Sequence, residues 1–203
     1  MDIKISPLRH KDFEQARKFA IEGMHLSWYA SNKLLLYFYS KYFWYLEISK
    51  ATGAWGAYMN EKLVGVLLID FVGELKLFRS VWYKIYRKFV EFIMNLFYKK
   101  AASTYDTANK EMLLAFKKEN KPDGEINFFA VNPAIKGKGI GTLLLNELEK
   151  EKKDKLIYLF TDSGSTYQFY LHRGFTESGR RDIVMEINGK EIPLTCFLFS
   201  KRL

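Results

Sequence analysis

The sequence has few of the residues that could cross-link the chain or hold a metal ion. Its 203 residues include one cysteine, Cys196, and three histidines. A single cysteine can form neither an internal disulfide nor a cysteine-built zinc site, and it fits a reducing compartment. The three histidines are widely separated, and no two of them have the spacing of paired metal ligands. We therefore expect no metal centre.

The sequence also lacks an apolar run long enough to span a membrane. Its most apolar stretch, Leu34 to Leu46, is interrupted by Ser40 and Lys41, and the first residues lack the apolar core of a signal peptide. Hydrophobic residues make up 48% and aromatic residues 17%, which excludes intrinsic disorder. The length suits one domain with a sizeable core. These features predict a soluble, cytoplasmic protein with a single domain over residues 1–203.

Positive charge exceeds negative charge, and the excess is concentrated in one stretch. The chain has 32 Lys and Arg against 23 Asp and Glu, a formal net charge of +9. From Lys76 to Lys100 there are seven basic residues and one acidic residue, Glu91, so this stretch carries +6. A basic balance favours nucleic acid, a membrane surface or an acidic ligand as partner. Because most of the excess positive charge lies in this one stretch, it is a property of that segment and not of the whole surface.

Hydrophobic periodicity predicts a mixed α/β chain. A short alternating strand comes first, two helices and a hairpin follow, and the second half alternates strands with helices before a last hairpin. The strands are predicted at Ile3–Ile5, Ala54–Met59, Leu63–Asp70, Glu125–Val131, Leu156–Thr161, Asp182–Ile187 and Ile192–Ser200, and the helices at Phe13–Met24, Asn32–Ser49, Thr142–Lys152 and Thr166–His172. Asn188-Gly189 predicts the tight turn of the last hairpin.

The segment 73–124 has the pattern of a helical insertion. Its first half has apolar residues at spacings of three and four, opposite a basic face, and a less hydrophobic helix is predicted near Thr107–Lys118. The apolar residues are Leu75, Phe78, Trp82, Ile85, Phe89, Phe92 and Leu96. The first helix can pack on this domain or on a second copy in a homodimer, or it can lie on a membrane surface. Nucleic acid is not expected, because no base-stacking or base-reading motif is recognisable.

A glycine-rich turn separates the strand that ends at Val131 from the helix that starts near Thr142. It reads Asn132-Pro133-Ala134-Ile135-Lys136-Gly137-Lys138-Gly139-Ile140-Gly141. Bare amides at the start of a helix favour a phosphate, through their free N–H groups and the helix dipole. The turn is not a Walker loop, because Gly139 follows Lys138, and it is not a dinucleotide fingerprint, because Thr142 replaces the third glycine.

Two motifs together resemble the GNAT superfamily of acyl-CoA-dependent N-acyltransferases. That family has a loop Arg/Gln-x-x-Gly-x-Gly/Ala after a strand ending in Val-x-Pro, and later Tyr-x-x-x-Gly-Phe. Here Lys136-x-x-Gly139-x-Gly141 follows Val131-Asn132-Pro133, and the stretch from Tyr170 to Phe175 supplies the second motif. The resemblance implies an α/β (α+β) fold with a mixed, mostly antiparallel central sheet flanked by helices. The insertion lies between the third and fourth strands, where the family usually has a short loop.

The resemblance also implies how acetyl-CoA would be held. The pyrophosphate would be bound by the backbone amides of Gly137, Lys138, Gly139, Ile140, Gly141 and Thr142, with positive charge added by Lys136 and Lys138. The pantetheine arm would pair with the strand edge at Phe129, Ala130 and Val131. Ser163 stands where many members have an asparagine that contacts the pantetheine.

The implied reaction is direct attack of an amine on the thioester carbonyl. Tyr170 would protonate the departing thiolate, and Glu125 is a candidate for accepting the proton of the amine. Members without such a base pass the proton through water, and this alternative stays open. The acceptor is an amine of a small molecule or of a protein. The alternative from another class is a non-catalytic CoA-binding module, or one that uses the basic helix to dock a partner or a membrane.

Overall fold

The computed structural model describes residues 2–24, 26–29, 32–97, 101–135, 137–187 and 190–203, and the side chains of all these except 28, 29, 93–97, 101–103 and 187. The strands are β1 (Ile3–Pro7), β2 (Gly53–Met59), β3 (Lys62–Phe71), β4 (Gly124–Val131), β5 (Leu156–Asp162), β6 (Thr176–Ile187) and β7 (Lys190–Arg202). The helices are α1 (Phe13–Gly23), α2 (Lys33–Lys50), α3 (Val81–Phe97), α4 (Ala101–Glu119), α5 (Ile140–Glu151) and α6 (Gln168–Leu171), with short 3₁₀ turns at His10–Asp12 and Leu26–Tyr29.

The strands form a mixed sheet in the order β1-β2-β3-β4-β5-β7-β6. The pairs β1–β2, β2–β3, β5–β7 and β6–β7 are antiparallel, whereas β4 and β5 are parallel. At the β2–β3 turn, Asn60 and Glu61 have φ of 48° and 60°. Two consecutive positive φ values are typical of the type I′ turn that matches the twist of a two-residue hairpin. The predicted mixed, mostly antiparallel sheet flanked by helices is confirmed.

The chain forms two compact units. The first contains residues 1–87 and 126–153, and the second contains residues 88–125 and 154–203. Strand β4 therefore contributes its first two residues to the second unit and the others to the first.

In the first unit, helices cover both faces of the sheet. Apolar residues of α1 and α2, among them Phe19, Trp44 and Ile48, pack against alternate residues of β2, β3 and β4. On the opposite face, Gly65 of β3 leaves room for α5, because a Cβ there would lie 2.8 Å from Ile140 and 3.1 Å from Leu144. The start of α5 is thus held close to the sheet, and the position of this helix matters for the loop before it.

In the second unit, α4 covers one face of the β5-β7-β6 sheet. Ala108, Met112 and Phe116, at spacings of four, pack against Tyr158, Cys196 and Leu198. Apolar residues at these spacings lie on one face of a helix, so α4 can bury them together. Tyr105, from the same helix, donates a hydrogen bond to Asp162 Oδ2 over 3.0 Å. One predicted insertion helix is therefore part of a hydrophobic core.

The structure corrects some predicted boundaries. Strand β6 starts at Thr176 and not at Asp182. Residues 176–181 lie in the last strand of the sheet order and are mostly exposed, so their sequence has no apolar alternation from which a strand could be predicted. Helix α4 starts at Ala101, before the predicted Thr107. Helix α3 starts at Val81, because Leu77 N–H donates to the Ala51 carbonyl and keeps the preceding segment out of the helix.

Candidate functional site

The glycine-rich turn has a backbone conformation that favours glycine at two of its positions. Gly137 and Gly139 have φ of 78° and 68°, in the left-handed region. A Cβ on either residue would meet no atom within 4 Å, so conformation and not space favours glycine here. Gly139 is the N-cap of α5, and its carbonyl accepts the Leu143 N–H over 3.0 Å.

The chain between β4 and the glycines is held by Asn132. Its N–H donates to the Val64 carbonyl over 2.8 Å, which attaches the end of β4 to β3. Its side-chain Oδ1 accepts the Ala134 N–H over 3.0 Å, and its carbonyl accepts the Ile135 N–H. This is an Asx turn, in which a side chain closes a turn that the backbone would otherwise close. The loop therefore leaves the sheet at a defined position.

The start of α5 has the properties of an anion site. The first N–H groups of any helix lack a partner within the helix, and the dipole is positive at this end. Gly137, Lys138 and Gly139 are exposed, whereas Gly141 and Thr142 are partly exposed, and Ile140 is buried against the sheet. Lys136 lies outside the described residues. The described backbone from 137 to 142 can thus present several N–H groups to a phosphate.

Strand β4 leads into this loop. Ala130 is buried in the core that α1 and α2 cover, while Phe129 and Val131 are partly exposed. The parallel pairing of β4 with β5 is short, with Gly124 opposite Ile157 and Glu125 opposite Tyr158.

Glu125 is paired with a tyrosine across the strands. The hydroxyl of Tyr158 donates to Glu125 Oε2 over 3.1 Å. Tyr158 is 7% exposed, and its ring packs near Phe116 of α4, with centroids 6.3 Å apart. Because Glu125 and Tyr158 are paired in the register of β4 and β5, their side chains lie on the same face of the sheet. A carboxylate held in this way has a defined orientation, which a general base requires.

Tyr170 lies among aromatic rings of the second unit. Its ring centroid is 5.7 Å from that of Phe175 and 6.1 Å from that of Phe199. Its carbonyl accepts the N–H groups of Arg173 and Phe175, which shapes the turn that Gly174 completes with a φ of 77°. Burial raises the pKa of the Tyr170 phenol. The phenol therefore stays protonated throughout the physiological range, as a proton donor must.

Ser163 is attached to the neighbouring strand. Its N–H donates to the Thr195 carbonyl over 2.9 Å, and its hydroxyl accepts the Thr195 N–H over 3.0 Å. Asp162, beside it, accepts the Gly164 N–H through Oδ1 over 2.9 Å. These bonds give the hydroxyl of Ser163 a structural role within the second unit, in addition to the predicted contact with pantetheine.

Sequence reasoning missed the residues that support the predicted ones. Tyr158 reaches Glu125 from 33 positions away, and Thr195 reaches Ser163 from 32 positions away. Asn127, also missed, donates to the carbonyl and to Oε2 of Glu47 over 2.9 and 2.8 Å, which attaches β4 to α2. The alternation of β4 was the available signal for Asn127, because it places a polar residue on the same face as Glu125.

The sheet, the loop after β4 and the N-terminus of α5 together define the acyltransferase class of fold that the sequence motifs resemble. The comparison with protein families identifies it directly. The profile of the Acetyltransferase (GNAT) family matches residues 20–175, and the chain belongs to this family.

Solved structures show the same fold at low sequence identity. A protein from Corynebacterium glutamicum described as histone acetyltransferase HPA2 and related acetyltransferase is 18% identical, with a TM-score of 0.56 over 98% of this chain and 96% of that one. PaiA N-acetyltransferase from Thermoplasma acidophilum, in complex with coenzyme A, is 16% identical, with a TM-score of 0.54 over the whole of both chains. Ribosomal-protein-alanine N-acetyltransferase from Brucella melitensis is 18% identical, with a TM-score of 0.53 over 98% of this chain and 99% of that one.

One comparison and two searches of the structure gave no match. No curated protein sequence matches the chain. Within the residues that the structure describes, no cluster of His, Cys, Asp and Glu is arranged to hold a metal ion. The described helices include none with the length and hydropathy needed to cross a membrane.

Proposed function

We propose that the protein transfers an acetyl group from acetyl-CoA to a primary amine of a small molecule or a protein. The observation that carries this proposal is the loop before α5, where two glycines with positive φ lead directly into a helix N-terminus. This arrangement favours a pyrophosphate through its N–H groups and the helix dipole. Family membership makes the CoA pyrophosphate the natural occupant.

The proposed binding residues follow the chain from β4 to α5. The amides of residues 137–142 hold the pyrophosphate, Lys136 and Lys138 add positive charge, and Phe129, Ala130 and Val131 offer a strand edge to the pantetheine. Ser163 is proposed as a further contact. The coenzyme A complex of the Thermoplasma acidophilum relative supports this choice of donor.

The proposed chemistry has one proton to remove and one to supply. The amine nitrogen attacks the thioester carbonyl carbon, the C–S bond breaks, and the thiolate takes a proton from Tyr170. The proton lost by the amine goes to Glu125, directly or through a water molecule. The hydrogen bond from Tyr158 supports the role of Glu125, because it orients the carboxylate, and the phenol of Tyr170 is protonated at physiological pH and so has a proton to give.

We also propose that residues 1–203 act as a single catalytic domain in the cytoplasm, with 73–124 as an insertion between β3 and β4. The family match extends from 20 to 175 and so spans this segment, which supports the proposal.

The test is a titration with acetyl-CoA, followed by thiol release over a panel of amines. The panel contains polyamines, amino acids and peptides with a free N-terminus or a lysine. We expect saturable binding of acetyl-CoA and amine-dependent thiol release on part of the panel. Glu125→Gln keeps the shape of the side chain and should lower the rate with little effect on acetyl-CoA binding.

Two outcomes contradict the proposal. Absence of acetyl-CoA binding would exclude the assigned donor site. Binding without thiol release on any amine of the panel would favour a non-catalytic CoA-binding module.

A further inference from the structure

Helix α3 presents an apolar face to solvent. Five of its large side chains are more than half exposed, namely Val81 (72%), Trp82 (58%), Ile85 (54%), Phe89 (58%) and Phe92 (65%). Their spacings of one, three, four and three place them on one side of the helix. At about 1.5 Å of rise per residue, this α3 face is about 17 Å long. Monomeric proteins rarely expose an apolar surface of this kind without a partner.

The opposite side of α3 is attached to α2, so the direction of the α3 face is defined. Tyr83 stacks on Tyr45 with centroids 4.5 Å apart. The Tyr86 hydroxyl donates to the Phe38 carbonyl over 3.3 Å, and burial raises the pKa of this phenol to about 12. The helix thus keeps its two tyrosines partly buried and Val90 buried at 6% exposure, whereas the larger apolar residues on its other side are exposed. One alternative from the sequence was that the apolar side of this helix packs on the same domain. That alternative is wrong for the exposed residues from Trp82 to Phe92.

Positive charge borders the α3 face. Lys84 and Lys88, one turn apart, are exposed along one edge of it, and Arg79 is exposed just before the helix. Within the part of the chain that the structure describes, none of the three makes an ion pair with an acidic side chain. An apolar stripe with lysines beside it is the composition of helices that lie in the interface of anionic membranes.

The positive charge distinguishes between two partners for the α3 face, namely a second copy of this chain and an anionic membrane. A second copy would bring another α3, with three basic residues against one acidic residue and so a net charge of +2, and its own Arg79 against this one, and like charges repel across an interface. An anionic bilayer offers the opposite charge to Lys84 and Lys88 and an apolar interior to the aromatic side chains. We propose that the α3 face binds the surface of membranes that contain anionic lipids, with the helix lying in the plane of the interface.

The test is co-sedimentation of the full chain with vesicles of phosphatidylcholine, alone or mixed with phosphatidylserine. We expect binding that requires phosphatidylserine and weakens as salt increases. Trp82 supplies a second readout, because insertion into lipid shifts tryptophan emission to shorter wavelength. In a Trp28→Phe background, Trp82→Phe should remove this shift, since the two remaining tryptophans, Trp44 and Trp55, are only 1% and 6% exposed and already buried in protein.

Matched variants separate the apolar and the electrostatic contributions. Ile85→Ser with Phe89→Ser should weaken vesicle binding by about tenfold or more, because two bulky side chains no longer enter the lipid. Lys84→Gln with Lys88→Gln should weaken binding and reduce its salt dependence. Val184→Ser is the control: Val184 is 55% exposed on β6, and its replacement should leave vesicle binding unchanged. Thermal melting of each variant verifies that it is folded.

Four outcomes would overturn the proposal. Wild-type protein that does not sediment with anionic vesicles excludes it, and so does equal binding by the Ser double variant. A dimer in analytical ultracentrifugation that the Ser double variant abolishes, without vesicle binding, would assign the α3 face to a second copy. Salt-sensitive binding of an oligonucleotide without vesicle binding would assign the charge to nucleic acid. None of these measurements depends on acetyl transfer.

Discussion

Gly139 is the position at which one added charge tests the proposed pyrophosphate site most directly. We compare Gly139→Asp with Gly139→Asn, which have nearly the same shape. Gly139 has a φ of 68° and is exposed, and a Cβ there meets no atom within 4 Å. Asn and Asp both adopt this left-handed conformation more readily than other residues with a Cβ. The two variants therefore impose the same small cost on the loop and differ only in charge.

The expected loss of affinity follows from Coulomb's law. A carboxylate about 5.5 Å from one phosphate charge, at an effective dielectric constant of about 20, is repelled by about 3 kcal/mol. Screening at physiological salt, with a Debye length of about 8 Å, roughly halves this value for an exposed group. Since about 1.4 kcal/mol is a factor of ten, we expect Gly139→Asp to bind CoA about tenfold more weakly than Gly139→Asn.

The measurement is isothermal titration calorimetry of both variants with CoA at two salt concentrations. The difference between the variants should shrink as salt increases, because the repulsion is screened. Thermal melting provides the control, and both variants should melt within a few degrees of each other. Equal affinity of Asp and Asn variants at low salt would refute the assignment of the pyrophosphate to this loop.

Three further predictions concern residues of the second unit. Tyr170→Phe should reduce kcat in an acetyl-transfer assay, with little change in acetyl-CoA binding, and the raised pKa of the phenol means that wild type loses no activity through its ionisation below about pH 10. Burial raises the pKa of the Cys196 thiol to about 12, so a disulfide reagent at pH 8 should label the native protein far more slowly than the denatured protein. Gly179→Ala should destabilise the fold by about 1 kcal/mol or more in urea unfolding, because its Cβ would lie 3.1 Å from that of Met112 and 3.2 Å from that of Leu198.

Each of these predictions has an outcome that contradicts it. An unchanged kcat in Tyr170→Phe would remove the phenol from the reaction. Labelling of native Cys196 at the denatured rate would show that the thiol is open to solvent. Stability equal to wild type in Gly179→Ala would mean that α4 does not pack on β6 as tightly as the structure has it, and an exposed change such as Val184→Ala supplies the baseline for that comparison.

The part of the fold that carries the candidate pyrophosphate site was predictable from the sequence. Strand β4, helix α5 and strand β5 lie within two residues of their predicted bounds. Their signals are local, because alternation, glycines with positive φ and a helix N-terminus all depend on neighbouring residues. The same locality let two short motifs indicate the family to which the chain belongs.

The supporting contacts were not predictable, because they join residues far apart in the chain. The bond from Tyr158 to Glu125 depends on the parallel register of β4 and β5, and the sequence of neither strand specifies that register. The exposed residues before Asp182 join the sheet only because β7 pairs with them along their length. Propensity and periodicity do not encode a partner strand.

Helix α3 shows most clearly where the two kinds of information divide. By itself the sequence determined that this segment is an amphipathic helix within a stretch, Lys76 to Lys100, that carries a net charge of +6, because spacing and composition are properties of the chain. Only the tertiary structure decided which side is buried. Stacking of Tyr83 on Tyr45 and the hydrogen bond from Tyr86 turn the tyrosine side toward α2 and leave Trp82, Ile85 and Phe89 exposed. Which side of a helix is buried depends on the element that packs against it, and the sequence of the helix alone does not specify that element.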